Sequence, residues 1–279
     1  MLRKGDLTQG GITTTLLQFT LPMLAGSLLQ QCYNIADTLI VGQCIGANAL
    51  AAVGSAYTLM VFLISILLGL SMGSGTVFSL QYGAGDLSAL RRSIYVSFLL
   101  IGTVTILLNV AVFLWLDPIL RWLQVPYDIY SLMRNYLWII FWGIVFTFLY
   151  NFYAALLRAV GDSVTPLWFL AVSVVLNIGL DLFLILVLDQ GIEGAAVATV
   201  IAQGTAASGI LLYTYKIRPE LRLHREDMCF DRSSLREITS FSTLTCVQQS
   251  VMNFGILMVQ GLVNSFGTVV MAAFAAAVK

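Results

Sequence analysis

Long apolar runs recur along this chain of 279 residues, and each is long enough to cross a lipid bilayer. The hydrocarbon core of a bilayer is about 30 Å thick, which an α-helix crosses in about 20 residues. Transmembrane β-strands would instead show about ten alternating residues between turns, a pattern absent from this sequence. We predict about seven helical spans, at residues 16–42, 50–82, 94–116, 132–157, 166–188, 194–215 and 237–264. The chain is therefore expected to be an all-α, polytopic membrane protein.

Composition agrees with that class. Charged residues make up only 10% of the chain and hydrophobic residues 59%, whereas a soluble domain carries about 25% charged residues. We therefore expect the lipid bilayer as the main surroundings. The formal net charge is 0, and we expect no nucleic-acid partner.

The cysteines and the single histidine do not form a metal motif. Cys32, Cys44, Cys229 and Cys246 show no CxxC spacing, and His224 lies in a charged loop apart from them. We interpret the cysteines as small buried hydrophobic residues.

The distribution of positive charge predicts the orientation. With the N-terminus inside, the inner segments hold 11 of the 14 Lys and Arg residues. Positive residues concentrate in cytoplasmic loops. We therefore expect a multi-pass protein of the cytoplasmic (plasma or inner) membrane with a cytoplasmic N-terminus.

An internal repeat predicts the domain organisation. The stretch at 45–53 resembles the stretch at 266–274, an offset of 221 residues. Six spans separate the two copies, and an even number gives them the same orientation. We expect a six-helix lobe at 1–215, a cytoplasmic connector at 216–236 and the start of a second lobe at 237–279.

Two acidic residues, Asp37 and Asp181, fall well inside predicted spans. Inserting an Asp at the centre of a span costs about 2.5–3.5 kcal/mol, so such residues usually face a cavity and serve a function. The alternative is a carboxylate that is satisfied structurally or lies near the interface.

Polar residues at helical spacing accompany these carboxylates on three spans, at similar predicted depth. The stripes are Gln30, Asn34 and Asp37 on the first span, Asn177 and Asp181 on the fifth, and Thr199 and Gln203 on the sixth. Burial disfavours a charged carboxylate, so we expect these groups to exchange a proton or to bind a cation in its place. The Gln and Asn residues of the seventh span, which lacks a carboxylate, favour interhelical hydrogen bonding instead.

Four stretches carry the motifs of a known family. They lie at 33–42, with Leu21-Pro22 upstream, at 69–86, at 157–166 and at 177–199. The third, LRAVGDSVTP, is the most specific. Through these motifs the sequence resembles the MATE family, the multidrug and toxic compound extrusion transporters, over essentially its whole length.

The resemblance implies two six-helix lobes that face each other across a cleft and export organic cations against inward H⁺ or Na⁺ flow. This chain would supply one lobe and the first helix of the second, with the remaining C-terminal lobe as its partner. No cofactor is implied beyond the coupling ion, and a Na⁺ ion would bind at the family's carboxylate site. That site corresponds to Asp37, Asn177, Asp181 and Thr199.

The resemblance also implies roles for residues outside that site. The helix that contains Pro22 bends in part of the family when the carboxylate site changes occupancy. The inner-loop residues are interpreted as structural, and they are Arg158, Gly161, Asp162 and Pro166.

Two alternatives remain open at this point. The chain could be a flippase of lipid-linked precursors from the same superfamily, although no predicted span carries a mid-membrane Arg or Lys. It could also be a non-transporting truncated fragment. An enzyme is not expected, because the G-x-S-x-G match at 69–73 lacks the strand-to-helix turn and the nearby His that a hydrolase needs.

The repeat makes a prediction about size. Two copies of a repeat of about 220 residues, with their tails, correspond to about 50 kDa. We expect immunoblotting of the source membrane to detect a protein of that mass. A band at 30.5 kDa would mean that export requires a separate partner lobe.

Overall fold

The computed structural model describes residues 12–228 and 230–277, which form helices and connecting turns without a strand. The all-α prediction is thereby confirmed. The helices are α1 Ile12–Cys44, α2 Ala47–Gly83, α3 Leu87–Trp122, α4 Tyr127–Trp142, α5 Ile144–Ala159, α6 Val164–Leu182, α7 Gly191–Ile217, α8 Arg232–Asn264 and α9 Thr268–Ala277. A π-helical turn, Phe183–Val187, extends α6, and a 3₁₀ turn, Pro219–Leu221, follows α7.

Within the described residues, five helices are long and apolar enough to cross a membrane, namely α2, α3, α6 with its π turn, α7 and α8. The predicted fourth span is two helices, α4 and α5, which make a sixth crossing if they count as one bent span. The predicted first span is α1, which is 33 residues long and is not among these five.

Gly143 marks the break between α4 and α5, whose axes differ by 48°. A Cβ at this position would lie 2.9 Å from a methyl group of Val200 on α7. The glycine therefore allows α7 to pack closely at the bend, a contact that periodicity along one segment does not reveal.

The two repeat copies share a local structure. Gly46 separates α1 from α2, and Gly267 separates α8 from α9. Both glycines have positive φ, 115° and 89°, a region that L-residues with a Cβ rarely adopt. The match between 45–53 and 266–274 therefore includes the same break between two helices.

Pro22 lies inside α1, which is assigned as one continuous helix across it. Bending of this helix when the carboxylate site changes occupancy remains a prediction.

The cysteine interpretation is partly wrong. Cys32, Cys44 and Cys246 are free thiols, but Cys32 and Cys44 are exposed. Both lie on α1, and α1 packs against the bundle along only part of its surface. Cys229 lies outside the described residues.

The loop between α5 and α6 is held by Asp162. Its carboxylate accepts hydrogen bonds from the backbone N–H of Thr165 at 3.0 Å and from the Thr165 hydroxyl at 2.8 Å. Arg218, just after α7, donates to the same carboxylate at 3.2 Å. Gly161 allows the turn because its φ is 86°. Arg218 is thus the partner of Asp162, and the motif alone did not indicate it.

Two other residues of that motif pack at the ends of the loop. Pro166 accepts a hydrogen bond from the Tyr150 hydroxyl through its carbonyl oxygen, at 3.0 Å. Arg158 lies in the last turn of α5 and is half-buried. The bond between Tyr150 and Pro166 joins α5 to the beginning of α6.

The connector is shorter than the predicted 216–236, because α8 already begins at Arg232. Asp231 caps that helix and accepts hydrogen bonds from the backbone N–H groups of Ser233 and Ser234, each at 3.1 Å. Hydrogen bonds from the Ser234 and Ser233 hydroxyls, together with these backbone bonds, lower the pKa of Asp231 below its ordinary value. The first turn of α8 is therefore set by a charged N-cap.

Helix α2 is the centre of the bundle, in contact with α3, α4, α5, α8 and α9. Its partner α8 runs antiparallel to it along most of its length. Ser55 lies beside Asn264 at one end, Phe62 packs on Phe254 in the middle, and Gln81 approaches Glu237 at the other end.

The closest approach of α2 and α8 occurs at two glycines one turn apart. A Cβ at Gly69 would overlap the backbone of Cys246, and a Cβ at Gly73 would overlap the backbone of Ser242. Small residues four apart let helix backbones approach in membranes. This pair accounts for the G-x-x-x-G spacing on α2.

We predict that Gly73→Ala destabilises the protein by about 1–3 kcal/mol, the usual cost of overpacking. The reason is that the new methyl group forces α8 away from α2. Thermal unfolding in detergent measures the change. Gly255→Ala on α8 is the control, since a Cβ there meets no atom within 4 Å. Equal melting temperatures for the two variants would contradict the close contact.

Candidate functional site

The structure joins three of the predicted site residues in one buried group. Asp181 is 0%, Asn177 1% and Thr199 4% exposed. In the orientation that matches its neighbours, the Asn177 amide nitrogen donates to Asp181 Oδ2 at 2.9 Å, and its oxygen accepts from the Thr199 backbone N–H at 3.2 Å. The i, i+4 spacing on α6 places the amide beside the carboxylate. Asn177 therefore bridges α6 and α7.

Helix α1 completes the group from the other side. The hydroxyl of Tyr33 lies 3.4 Å from the hydroxyl of Thr199 on α7, and either can donate. The Asn34 amide donates to the Tyr57 hydroxyl of α2 at 3.2 Å and to Gln31 at 3.1 Å. These bonds tie α1 to α7 and to α2.

The two carboxylates lie near each other. Asp37 is 8% exposed, and it lies close enough to Asp181 for their charges to interact. Tyr33, which is half-buried, and Tyr136, which is buried, lie beside both of them. Like charges in a medium of low dielectric repel each other strongly.

One oxygen of Asp181 has no hydrogen-bond partner in the described part of the chain. This atom, Oδ1, is buried. The helix changes from α to π two residues later, at Phe183. Single π turns inside helices occur often at functional sites.

Gln30 and Gln203 are not joined to this group by a hydrogen bond in the described part of the chain. Gln30 is exposed on α1. Gln203 accepts a hydrogen bond of 2.6 Å from the Thr147 hydroxyl of α5. Their roles at the carboxylate site remain predictions.

Three tyrosines of the site were missed by the sequence analysis. Tyr33 could have been found, because it precedes Asp37 by one helical turn. Tyr57 and Tyr136 come from α2 and α4, and no local pattern connects those helices with Asp37.

The donors of this group suit hard cations. Asp37, Asp181 and Thr199 carry oxygen atoms, the ligand type that hard cations prefer, whereas the Asn177 oxygen is bonded to the Thr199 backbone N–H. The described residues contain no group of three or more His, Cys, Asp or Glu that could hold a metal ion. The group is a small, buried polar site inside a helical bundle.

A family model matches more than half of the chain. The MatE family model matches residues 22–183, which include most of α1 and all of α2 to α6. The chain belongs to the MATE family. It is a multi-pass membrane protein, as its apolar helices indicate.

Curated relatives of this MATE chain are multidrug resistance proteins of bacteria. The chain is 34% identical over 271 residues to the probable multidrug resistance protein YpnP of Bacillus subtilis, covering 97% of the chain and 60% of the relative. It is 28% identical to the multidrug export protein MepA of Staphylococcus aureus, covering 93% of the chain and 57% of the relative. The chain thus spans about 60% of the length of these relatives, which are transporters rather than enzymes.

Solved MATE structures share the fold. The transporter VcmN of Vibrio cholerae in its bent form superimposes with a TM-score of 0.80 at 27% identity, over 94% of this chain and 59% of that one. A crystal structure of MATE in complex with MaD3S gives a TM-score of 0.85 at 22% identity, over 100% of this chain and 62% of that one.

The site predicts an unusual effect on stability. Asp181→Asn keeps the shape but removes a buried ionisable group, and the new amide can point its oxygen at the Asn177 nitrogen. We expect the melting temperature in detergent at pH 8 to rise, with a gain of about 1 kcal/mol or more, because a neutral amide costs less to bury than a charged carboxylate. Ser173→Ala is the control, since Ser173 is buried on the same helix but carries no charge. A lower melting temperature for Asp181→Asn would show that the carboxylate stabilises the fold.

Proposed function

We propose that this chain supplies the first lobe of a secondary transporter that exports organic cations across the cytoplasmic membrane in exchange for H⁺ or Na⁺. The observation that carries the proposal is the buried pair Asp37 of α1 and Asp181 of α6. The Asn177 amide bonds to Asp181 and to Thr199 beside it. Names of relatives as multidrug resistance and export proteins support the substrate class.

The chemistry follows from the coupling of the two carboxylates. Two acids that interact strongly lose their protons as a pair. In a buried site one proton or one Na⁺ relieves their repulsion. An organic cation in the adjoining cleft is attracted by the same negative charge, so proton or Na⁺ binding lowers its affinity. Antiport then results because each ligand favours release of the other.

The predicted orientation gives this exchange a direction. With the N-terminus in the cytoplasm, α1 runs outward, and Asp37 lies towards its outer end. Protons or Na⁺ entering from outside would therefore reach the carboxylate pair before they cross the inner half of the membrane. Asn177 bonds to Asp181, and Tyr33 bonds to Thr199. These bonds connect α1, α6 and α7, so a change of charge at the pair affects all three helices.

The test is the Asp37→Asn substitution in the full-length transporter. We expect efflux of a fluorescent organic cation such as ethidium to fall about 100-fold or more, because the neutral side chain no longer exchanges a proton or Na⁺. Initial efflux rates from loaded cells or proteoliposomes measure the effect, at equal protein levels in the membrane.

Asp117→Asn is the matched control. Asp117 pairs with Arg134 at 2.9 Å on an exposed surface, away from the carboxylate site. We expect this variant to retain efflux. Unchanged efflux in Asp37→Asn would refute the proposed role of the pair.

A further inference from the structure

A cluster of buried polar side chains joins α2 to α8 at one end of their contact. The members are Ser55, Thr58, Gln260 and Asn264, which are 1%, 9%, 3% and 1% exposed. We call them the latch cluster. Asn264 confirms the expected interhelical bonding of the seventh span, since its side-chain oxygen accepts from the Ser55 hydroxyl at 2.9 Å.

Gln260 is the hub of the latch cluster. Its oxygen accepts a hydrogen bond from the Thr58 hydroxyl at 3.1 Å. Its nitrogen donates to the Ser55 hydroxyl at 2.9 Å and to the Asn264 oxygen at 2.8 Å. Asn264 also donates to the backbone carbonyl of Leu123, after α3, at 2.8 Å. Side-chain hydrogen bonds thus hold α8 to two elements of the first lobe.

The other end of the α2–α8 contact is built differently. There Gly69 and Gly73 let the two backbones touch at Cys246 and Ser242. The Ser242 hydroxyl donates to the backbone carbonyl of Leu70 across the contact at 3.1 Å. This end is close-packed along the backbones.

The two ends differ in what it costs to separate them. Hydrogen bonds between side chains can be exchanged for bonds to water, so each contributes only about 0.5–1.5 kcal/mol net. A close backbone contact loses its dispersion contacts on separation, and water does not replace them equally. The α2–α8 pair should therefore open at the latch cluster and stay together at the glycines.

The latch cluster also adjoins the carboxylate site. Tyr57 receives the hydrogen bond from Asn34 of α1, and the next residue, Thr58, bonds to Gln260 of α8. A shift of α1 at the site therefore acts on the segment of α2 that carries the latch.

We propose that Ser55, Thr58, Gln260 and Asn264 form a releasable latch between the first lobe and α8, with Gly69 and Gly73 as the pivot. The latch is closed in this structure. Its release exposes the Leu123 end of the contact to water. Only the use of this motion for export rests on the proposed function, and the opening itself is measured without a transported substrate.

The first experiment measures opening directly. The full-length transporter is prepared with its native cysteines replaced by alanine and with Leu123→Cys as the reporter, a side chain that is 1% exposed. It is placed in lipid nanodiscs, which leave both faces accessible, and labelled with a charged maleimide. Gln260→Leu removes the hub, so we expect the labelling rate to rise about fivefold or more as the open state gains population.

Asn253→Leu is the matched control. Asn253 is also a buried amide of α8, but its side-chain nitrogen donates to the Gln249 carbonyl of its own helix at 2.8 Å. We expect no change in labelling. Equal rates for Gln260→Leu and the parent protein would overturn the latch.

The second experiment does not depend on the stability of Gln260→Leu. A short bifunctional methanethiosulfonate links Ser55→Cys to Asn264→Cys across the latch, or Ser74→Cys to Ser242→Cys near the pivot, where the two hydroxyls lie 3.5 Å apart. We expect the latch link to slow ethidium efflux about tenfold or more, with recovery on reduction, and the pivot link to leave it within about twofold. Full efflux with the latch linked would overturn the proposal. If the parent protein itself exports nothing, the proposed function fails, and the labelling experiment still decides the latch.

Discussion

A carboxylate in the hydrocarbon region has to be surrounded by protein, and the arrangement of α1, α6 and α7 follows from that requirement. Insertion of an Asp near the centre of a span costs about 2.5–3.5 kcal/mol, and Asp181 is fully buried. The bundle meets this cost with the Asn177 amide, which also reaches the backbone of Thr199. The remaining oxygen of Asp181 has no partner among the described residues. Such a residual cost is typical of functional sites, where stability is exchanged for activity.

Helix α2 connects that site to the rest of the molecule. It gives Tyr57 to the carboxylate site and Thr58 to the latch cluster, so adjacent residues point to different partners. Its glycines let α8 approach at Gly69 and Gly73. Helix α2 therefore makes two kinds of contact with α8, a hydrogen-bonded contact at the latch cluster and a close backbone contact at the glycines.

The loops outside the spans use charge for a different purpose. Asp162 holds the turn before α6 and pairs with Arg218 after α7, which brings the ends of two spans together. Asp231 caps α8. The donors to Asp231 and one donor to Asp162 lie within three residues of the carboxylate. The other donor to Asp162 is Arg218. These carboxylates stabilise a turn and a helix end, whereas the pair Asp37 and Asp181 lies inside the bundle.

The sequence by itself determined the helical class, most of the spans, the repeat and the two intramembrane acids, because hydropathy, helical period and the cost of buried charge are local properties of the chain. It also marked Asn177 and Thr199 by their spacing and by family resemblance. Only the tertiary structure decided that α4 and α5 bend at Gly143, that Gln30 is exposed and that Arg218 is the partner of Asp162. It likewise brought Tyr57 and Tyr136 to the site and assembled the latch from residues about 200 positions apart. Those features depend on which helix faces meet, and helix packing is set by contacts between distant segments that no local pattern encodes.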